Sequence, residues 1–116
     1  MLKQTVLRNK KDFSALYNKG RSVGDRYVVL FFRKNGREYN RTAFLASKKV
    51  GKSVIRNRAR RLMKESYRSL QENLPAGYDF IFIARKTIIN SRCADVKKSM
   101  EAAIKRSNIK KKKQGE

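Results

Sequence analysis

Positive charge is concentrated in residues 48–64, a stretch with eight cationic side chains and no acidic one. The cations are Lys48, Lys49, Lys52, Arg56, Arg58, Arg60, Arg61 and Lys64. The nearest carboxylates in the sequence are Glu38 and Glu65, so no close sequence neighbour neutralises this field. Ammonium and guanidinium groups donate hydrogen bonds to phosphate oxygens, and a dense cluster of them attracts polyanions. The stretch therefore predicts a nucleic-acid-binding surface.

Side chains for catalysis by the protein itself are scarce. The chain has no histidine and one cysteine, so the usual zinc sites and the cysteine or serine triads lack their parts. Its nine carboxylates are scattered singly, without the paired acids of two-metal nucleases. Val50-Gly51-Lys52-Ser53 lacks the upstream glycine of a phosphate-binding loop, so a turn and helix cap is the better interpretation. We expect no catalytic residue and no metal site in the protein. The alternative hypothesis here is an autonomous metal nuclease.

Composition indicates one folded domain with a polyanionic partner. The chain has 116 residues, a formal net charge of +22 and 40% hydrophobic residues. We expect a single RNA-binding domain over residues 1–109 and a basic flexible tail over residues 110–116. The lone cysteine gives no sign of an oxidising compartment, and the longest apolar runs are far shorter than the ~20 residues of a membrane span. A cytoplasmic protein without a membrane partner is the expectation.

The first half of the chain reads as a helix followed by strands. Phe13, Leu16, Tyr17 and Gly20 follow helical spacing, with Gly20 closing the helix. Spacing alone favours core packing for Phe13 and Tyr17; a stacking surface for bases is the alternative. Residues 21–25 form a turn or short edge strand, and residues 26–33 a strand apolar on both faces, one against helices and the other buried or lining an open cleft. Asn35-Gly36 then indicates a hairpin to a return strand over residues 42–47.

The second half predicts helix, strand and helix. Ser53 is placed to cap a basic helix over residues 54–74, whose apolar stripe has Met63 and Tyr67 at its border. The stripe itself comprises Ile55, Ala59, Leu62, Ser66, Leu70 and Leu74. A strand over residues 78–84 should be central, and a helix over residues 91–106 should bury Cys93. The result is an α+β sandwich with a small mixed sheet, and a right-handed β-α-β crossover is the general expectation if its strands are parallel.

The basic stretch resembles the signature of the bacterial ribonuclease P protein subunit. The resemblance rests on Lys48-Lys49-Val50-Gly51 followed by Val54-Ile55-Arg56-Asn57-Arg58-Ala59-Arg60-Arg61. It extends to Asp12-Phe13 with Tyr17, to Gly20-Arg21-Ser22-Val23 with Arg26, and to Ile83-Ala84-Arg85-Lys86, so it covers nearly the whole chain. Ser53, Ala59 and Thr87 depart from the family pattern, and these departures bear on packing alone.

The resemblance implies a fold and an activity. The fold is an αβββαβα sandwich with a left-handed crossover through the basic helix, contrary to the general rule, and it is like the second domain of a small-subunit ribosomal protein. The activity is that of an endoribonuclease holoenzyme whose RNA, which requires magnesium, removes the 5′ leader of precursor tRNA. The protein binds no cofactor by itself. Its implied partners are one ribonuclease P RNA per protein and the precursor tRNA.

The resemblance also assigns residues to two surfaces. The residues implied to hold the single-stranded leader, in a cleft between the first helix and the sheet, are Phe13, Tyr17, Phe31 and Lys48. Those implied to contact the catalytic RNA are Lys49, Lys52, Arg56, Asn57, Arg58, Arg60, Arg61 and Lys64. The competing hypothesis, which size and charge also suit, is a ribosomal protein-like structural rRNA binder that takes part in no cleavage.

Overall fold

A four-stranded mixed sheet carries helices on both faces in the computed structural model, which describes residues 5–109. The helices are α1 (Lys10–Lys19), α2 (Ser53–Leu70) and α3 (Cys93–Arg106), and the strands are β1 (Arg21–Gly24), β2 (Val28–Lys34), β3 (Arg41–Leu45) and β4 (Tyr78–Ala84). Short 3-10 turns follow α2 at Gln71–Asn73 and β4 at Lys86–Asn90. The predicted α+β order is confirmed, and the predicted tail, residues 110–116, lies outside the described residues. None of the helices in this part of the chain is long and apolar enough to cross a membrane.

The order of the strands corrects one prediction. It is β1-β2-β4-β3, with β4 antiparallel to β2 and parallel to β3, so the expected hairpin between β2 and β3 is wrong. The cause is β4, whose residues Phe80, Ile81 and Phe82 are fully buried and need cover on both faces, which only a central strand receives. β3, α2 and β4 form the predicted crossover unit, and its left-handedness and the likeness to a ribosomal protein domain stay predictions.

The larger core lies between the sheet and the α2–α3 layer. Leu30, Phe80 and Phe82 from the strands meet Met63 of α2 and Met100 of α3, and all five are fully buried. Burying a side chain of this size stabilises the fold by about 1.5–3 kcal/mol. Two expectations for α2 need correction. Met63 and Tyr67, predicted at the border of the apolar stripe, are both buried in this core, and the helix ends at Leu70 instead of residue 74.

The opposite face of the sheet is only partly covered. Leu16 of α1 packs with Leu7, Ala43 and Ile81 in a second, smaller cluster. Phe13, Phe31, Leu45 and Ile83 pack against this cluster and remain partly exposed. α1 has ten residues and covers less of the sheet than the α2–α3 pair, so a strip of apolar side chains borders solvent on this face.

The starts of the two long helices differ from prediction. Lys52 is the N-cap residue of α2 and makes no side-chain cap, while Ser53 is already helical and its Oγ accepts a hydrogen bond from Arg56 Nη2 at 3.3 Å. Gly51, at φ 152°, makes the sharp turn before α2, as predicted, and a Cβ there would lie 2.9 Å from Ile55 Cδ1. Cys93 opens α3 and is exposed, so the prediction that it belongs to the core is wrong. A first-turn position of α3 faces solvent because the buried stripe begins at Val96.

Candidate nucleic-acid interface

Three of the residues assigned to the leader site meet between α1 and β2, and we call Phe13, Tyr17 and Phe31 the aromatic cleft. Tyr17 lies one turn after Phe13, with ring centroids 6.4 Å apart and planes inclined by 29°. Tyr17 and Phe31 form a T-shaped pair, with centroids 5.0 Å apart and planes at 87°. Phe13 and Phe31 are half-buried, while Tyr17 is 42% exposed. Core packing therefore holds for Phe13, while Tyr17 presents ring surface to solvent, and the stacking of bases stays a prediction.

The floor of the aromatic cleft is apolar. Phe31 and Ile83 belong to neighbouring strands, since Val29 is paired with Ile83 and Phe31 with Ile81. Leu45 of β3 is paired with Ile83, which extends the same apolar strip across the sheet. Sequence reasoning did not single out Leu45 and Ile83, although the alternation of side chains along a strand would place them on the face of Ile81.

Lys48, the fourth predicted leader residue, is exposed in the turn that follows β3. It lies beyond the strand end that carries Leu45, and its side chain forms no hydrogen bond or ion pair within residues 5–109. The structure therefore places an exposed ammonium group past the end of β3.

An ion-pair network fixes α1 to the sheet, and sequence reasoning did not find it. Arg41 donates two hydrogen bonds to Asp79, from Nε at 2.9 Å and from Nη2 at 2.7 Å, and one from Nη1 to Asp12 Oδ2 at 3.1 Å. Asn35 Nδ2 donates a fourth bond of the network, to Asp79 Oδ1 at 2.8 Å. Hydrogen bonding to Asp79 is the main cause that raises the pKa of Arg41, so its charge is permanent. Because Asp12 directly precedes Phe13, the network also sets the position of the aromatic cleft.

The alternative hypothesis of an autonomous metal nuclease would use the carboxylates of this network. Asp12 and Asp79 are both hydrogen-bonded to Arg41, which places a positive charge where a cation would have to bind. Among the described residues no three or more histidine, cysteine or acidic side chains come together as a metal site. We therefore assign Asp12 and Asp79 a structural role.

The predicted contacts to the catalytic RNA lie in or just before the first turns of α2, and we call them the basic face. Its members are Lys49, Lys52, Arg56, Asn57, Arg58, Arg60, Arg61 and Lys64. The first turn of α2 contains no acidic residue. Arg56 and Arg60 are half-buried and the other six are exposed, and six of the eight lie within α2. The structure thus brings the predicted set together.

Three arginines of the basic face have partners within the protein. Arg58 Nη2 donates to the carbonyl of Ser91 at 2.7 Å and Nη1 to that of Ile89 at 3.4 Å, which links α2 to the segment before α3. Arg60 Nη2 donates to Asn57 Oδ1, and Arg56 donates to Ser53 as described above. The contact made by Arg58 had no sequence signal, because its acceptors are backbone carbonyls more than 30 residues away.

The fold and the two surfaces define an α+β domain that combines a solvent-facing aromatic cleft on one face of the sheet with a basic helix on the other face. The sequence model of the family described as Ribonuclease P matches residues 1–108 of the chain. The chain belongs to the Ribonuclease P family, which confirms the resemblance seen in the sequence.

Relatives and solved structures agree with this assignment. The chain is 42% identical over 109 residues to the ribonuclease P protein component of Clostridium botulinum (strain Langeland), covering 93% of this chain and 98% of that protein. It is 39% identical to the one from Caldanaerobacter subterraneus subsp. tengcongensis, covering 92% of each. The RNase P protein of Staphylococcus aureus has a TM-score of 0.83 at 28% identity, with coverage of 92% and 98%. That of Thermotoga maritima has a TM-score of 0.78 at 31% identity, with coverage of 86% and 94%.

Proposed function

We propose that the chain is the protein subunit of a ribonuclease P ribonucleoprotein and assists removal of the 5′ leader from precursor tRNA. Family membership supports the class of enzyme. The exposed ring of Tyr17, which forms a T-shaped pair with Phe31 in the aromatic cleft, supports the role in substrate binding. The protein works in the cytoplasm, with one copy per RNA.

The aromatic cleft binds the single-stranded leader by stacking. Every base has a flat face that stacks on an aromatic ring whatever its sequence, and one such contact contributes about 1–3 kcal/mol. Burial raises the pKa of the Tyr17 phenol, so the ring stays neutral at physiological pH and does not repel phosphate. An enzyme with many precursor substrates needs this tolerance of sequence. Lys48 supplies a charge for the leader backbone past the end of β3.

The basic face binds the catalytic RNA. Arg61 and Lys64 are exposed and form no ion pair within the described chain, so both are available to phosphate oxygens. Arg58 and Arg60 keep donor N–H groups beyond those used within the protein, because a guanidinium carries five. Catalysis itself is the work of the RNA, which requires magnesium, while the protein contributes binding and position.

The proposal is tested by reconstitution with a bacterial ribonuclease P RNA and a precursor tRNA at low magnesium. The wild-type protein should stimulate 5′ cleavage. Tyr17→Ala should weaken affinity for precursor tRNA by between about 5-fold and 150-fold, which corresponds to the loss of about 1–3 kcal/mol of stacking. Tyr17→Phe keeps the ring and serves as the matched control, so its affinity should stay close to that of the wild type.

Mature tRNA, which lacks a leader, separates the two roles. Its binding should change little in Tyr17→Ala, and an equal loss for both tRNAs would contradict the assignment of the leader to the aromatic cleft. A protein that binds RNA and yet fails to stimulate cleavage would favour the structural rRNA binder instead.

A further inference from the structure

A second group of cations lies at the end of the sheet opposite the start of α2. It comprises Lys19 at the end of α1, Arg21 at the start of β1, and Arg33 and Lys34 at the end of β2, and we call it the sheet-end cluster. The four residues line one open hollow of about 310 Å³ together with Tyr78, whose ring stacks on buried Phe80. Neither the basic stretch of the sequence nor the aromatic cleft includes any of them.

Strand register and a tight turn bring the sheet-end cluster together. Arg21 is paired with Phe32 and Lys34 with Tyr78, and directly opposed residues of antiparallel strands point to the same face. Arg33 is paired with Asp79 and points to the other face, so it lies at the edge of the hollow. Gly20 joins α1 to β1 so closely that a Cβ there would lie 2.4 Å from the carbonyl oxygen of Leu16. That close approach holds Lys19 and Arg21 against the end of β2.

The four charges of the sheet-end cluster are uncompensated. All four residues are exposed, and within residues 5–109 none of their side chains enters an ion pair or a hydrogen bond. No carboxylate lines the hollow. Arg33 also borders the hollow that holds Asp12 and Asp79, but both of those carboxylates are bound by Arg41. Two helices end nearby, and their C-terminal dipoles contribute about −0.5 charge each, far less than the four positive charges.

The sheet-end cluster is too far from the start of α2 to be part of the basic face. β4 runs from Tyr78, beside the hollow, to Ala84, and six steps of about 3.3 Å separate its ends by about 20 Å. β3 is parallel to β4, so the turn that leads into α2 lies at the far end. At 0.15 M salt the Debye length is about 8 Å, so the cluster acts as a separate site.

We propose that the sheet-end cluster binds the phosphate backbone of RNA, as a second contact in addition to the basic face. A concave surface lined by Lys19, Arg21 and Lys34, with Arg33 at its edge, suits a phosphate backbone, and the half-buried ring of Tyr78 offers an apolar edge to a sugar or base. An anionic membrane is a poorer fit, because the large exposed apolar side chains of the described region are Val6, Tyr17, Val54 and Ile89, and none of these lines the hollow. The inference rests on the proposed function in taking RNA as the polyanion.

Salt dependence of binding to a bacterial ribonuclease P RNA tests this inference. The variant Arg21→Gln/Lys34→Gln removes two charges of the cluster. Lys98→Gln/Lys105→Gln removes two exposed charges from α3, beside the carboxylate of Glu101, and is the matched control. Each lost phosphate contact lowers the slope of log K against log salt by about 0.7–0.9, so the loss of two contacts in the cluster variant should lower it by about 1.4–1.8. The slope of the control should fall by less than about 0.5. Arg21→Lys/Lys34→Arg should keep the wild-type slope.

Each outcome decides the inference. Equal losses in the cluster and control variants would overturn it in favour of a general charge effect, and an unchanged slope would overturn it outright. Loss of binding to anionic phospholipid vesicles with an intact RNA slope would assign the cluster to a membrane instead. The proposed function is judged separately by stimulated cleavage: proteins that bind the RNA with the expected slopes but stimulate nothing would refute that function and leave the second contact standing.

Discussion

The network around Arg41 should decide much of the stability of the domain. Arg41→Met keeps the length of the side chain but leaves the carboxylate of Asp79, whose side chain is 10% exposed, with Asn35 as its remaining partner. Removing one member of a buried ion pair costs about 3–5 kcal/mol, and the remaining hydrogen bond places this case near the lower limit. We expect a loss of about 3 kcal/mol, a large fraction of the 5–15 kcal/mol typical of a domain.

Chemical and thermal unfolding followed by circular dichroism measures this loss. At roughly 4 °C per kcal/mol, the value at which the ranges for smaller and larger domains meet, the midpoint should fall by about 12 °C. All variants must be compared at one salt concentration near 0.15 M, because the net charge of +22 makes stability depend on screening. Asp12→Asn is the internal control: Asp12 is more exposed than Asp79, and its contact with Arg41 should be worth about 0–1 kcal/mol.

The double variant shows whether the loss of stability in Arg41→Met comes from a buried unpaired charge or from lost packing. Asp79→Asn in the Arg41→Met background removes the stranded carboxylate, so the double variant should be more stable than Arg41→Met by about 1–3 kcal/mol. Strict additivity of the two substitutions, or a loss below about 1 kcal/mol in Arg41→Met, would refute the assignment of this network as the tie between α1 and the sheet.

Two further predictions concern the helices on the other face. Arg58→Lys keeps the charge but cannot bond both carbonyls before α3, so it should lower the unfolding free energy by about 1–2 kcal/mol. The salt slope of RNA binding should stay at the wild-type value. Arg61→Lys is the control, and equal stability of the two variants would contradict the link between α2 and the segment before α3. Asp25 accepts hydrogen bonds from Ser99 and from Arg106, at 2.7 and 2.6 Å. Burial alone would raise the pKa of Asp25, but these bonds and a backbone one lower it, so its stabilisation is present above about pH 4 and is lost as pH falls through the lowered value. Unfolding free energy should therefore fall less steeply between pH 5 and 2 in Asp25→Asn than in the wild type, and parallel curves would contradict this.

Local patterns in the sequence identified the elements but not their arrangement. The unbroken apolar character of residues 78–84 and the helical stripe of residues 54–70 were enough to locate β4 and most of α2. Asn35-Gly36 does form a turn, with φ 71° at Gly36, yet the chain returns one strand further away. Pairing between β2 and β4 is non-local, so no turn residue encodes it.

The same distinction applies to the sites. Helical spacing placed Phe13 and Tyr17 on one face of α1, because residues four apart are neighbours there. Phe31 joined them only through the resemblance to a family. Arg41 and Asp79 are 38 positions apart in a chain with 31 lysines and arginines, and nothing in the sequence distinguishes this one cation as half-buried. The sheet-end cluster is likewise assembled from three separate elements, which only the fold brings together.

The central place of β4 has a consequence for how the chain folds during synthesis. Val28 is paired with Ala84 and Lys34 with Tyr78. The middle of the sheet therefore cannot form until residues 44 to 56 positions further along the chain have been synthesised. At about 5–20 residues per second, β2 and β3 spend some seconds without the strand that joins them, while the basic stretch has already been made. Closing so long a segment also carries an entropic cost and slows folding. A polyanion that binds this stretch early would reduce the self-repulsion of the emerging chain, and the RNA partner would then act in folding before it acts in assembly.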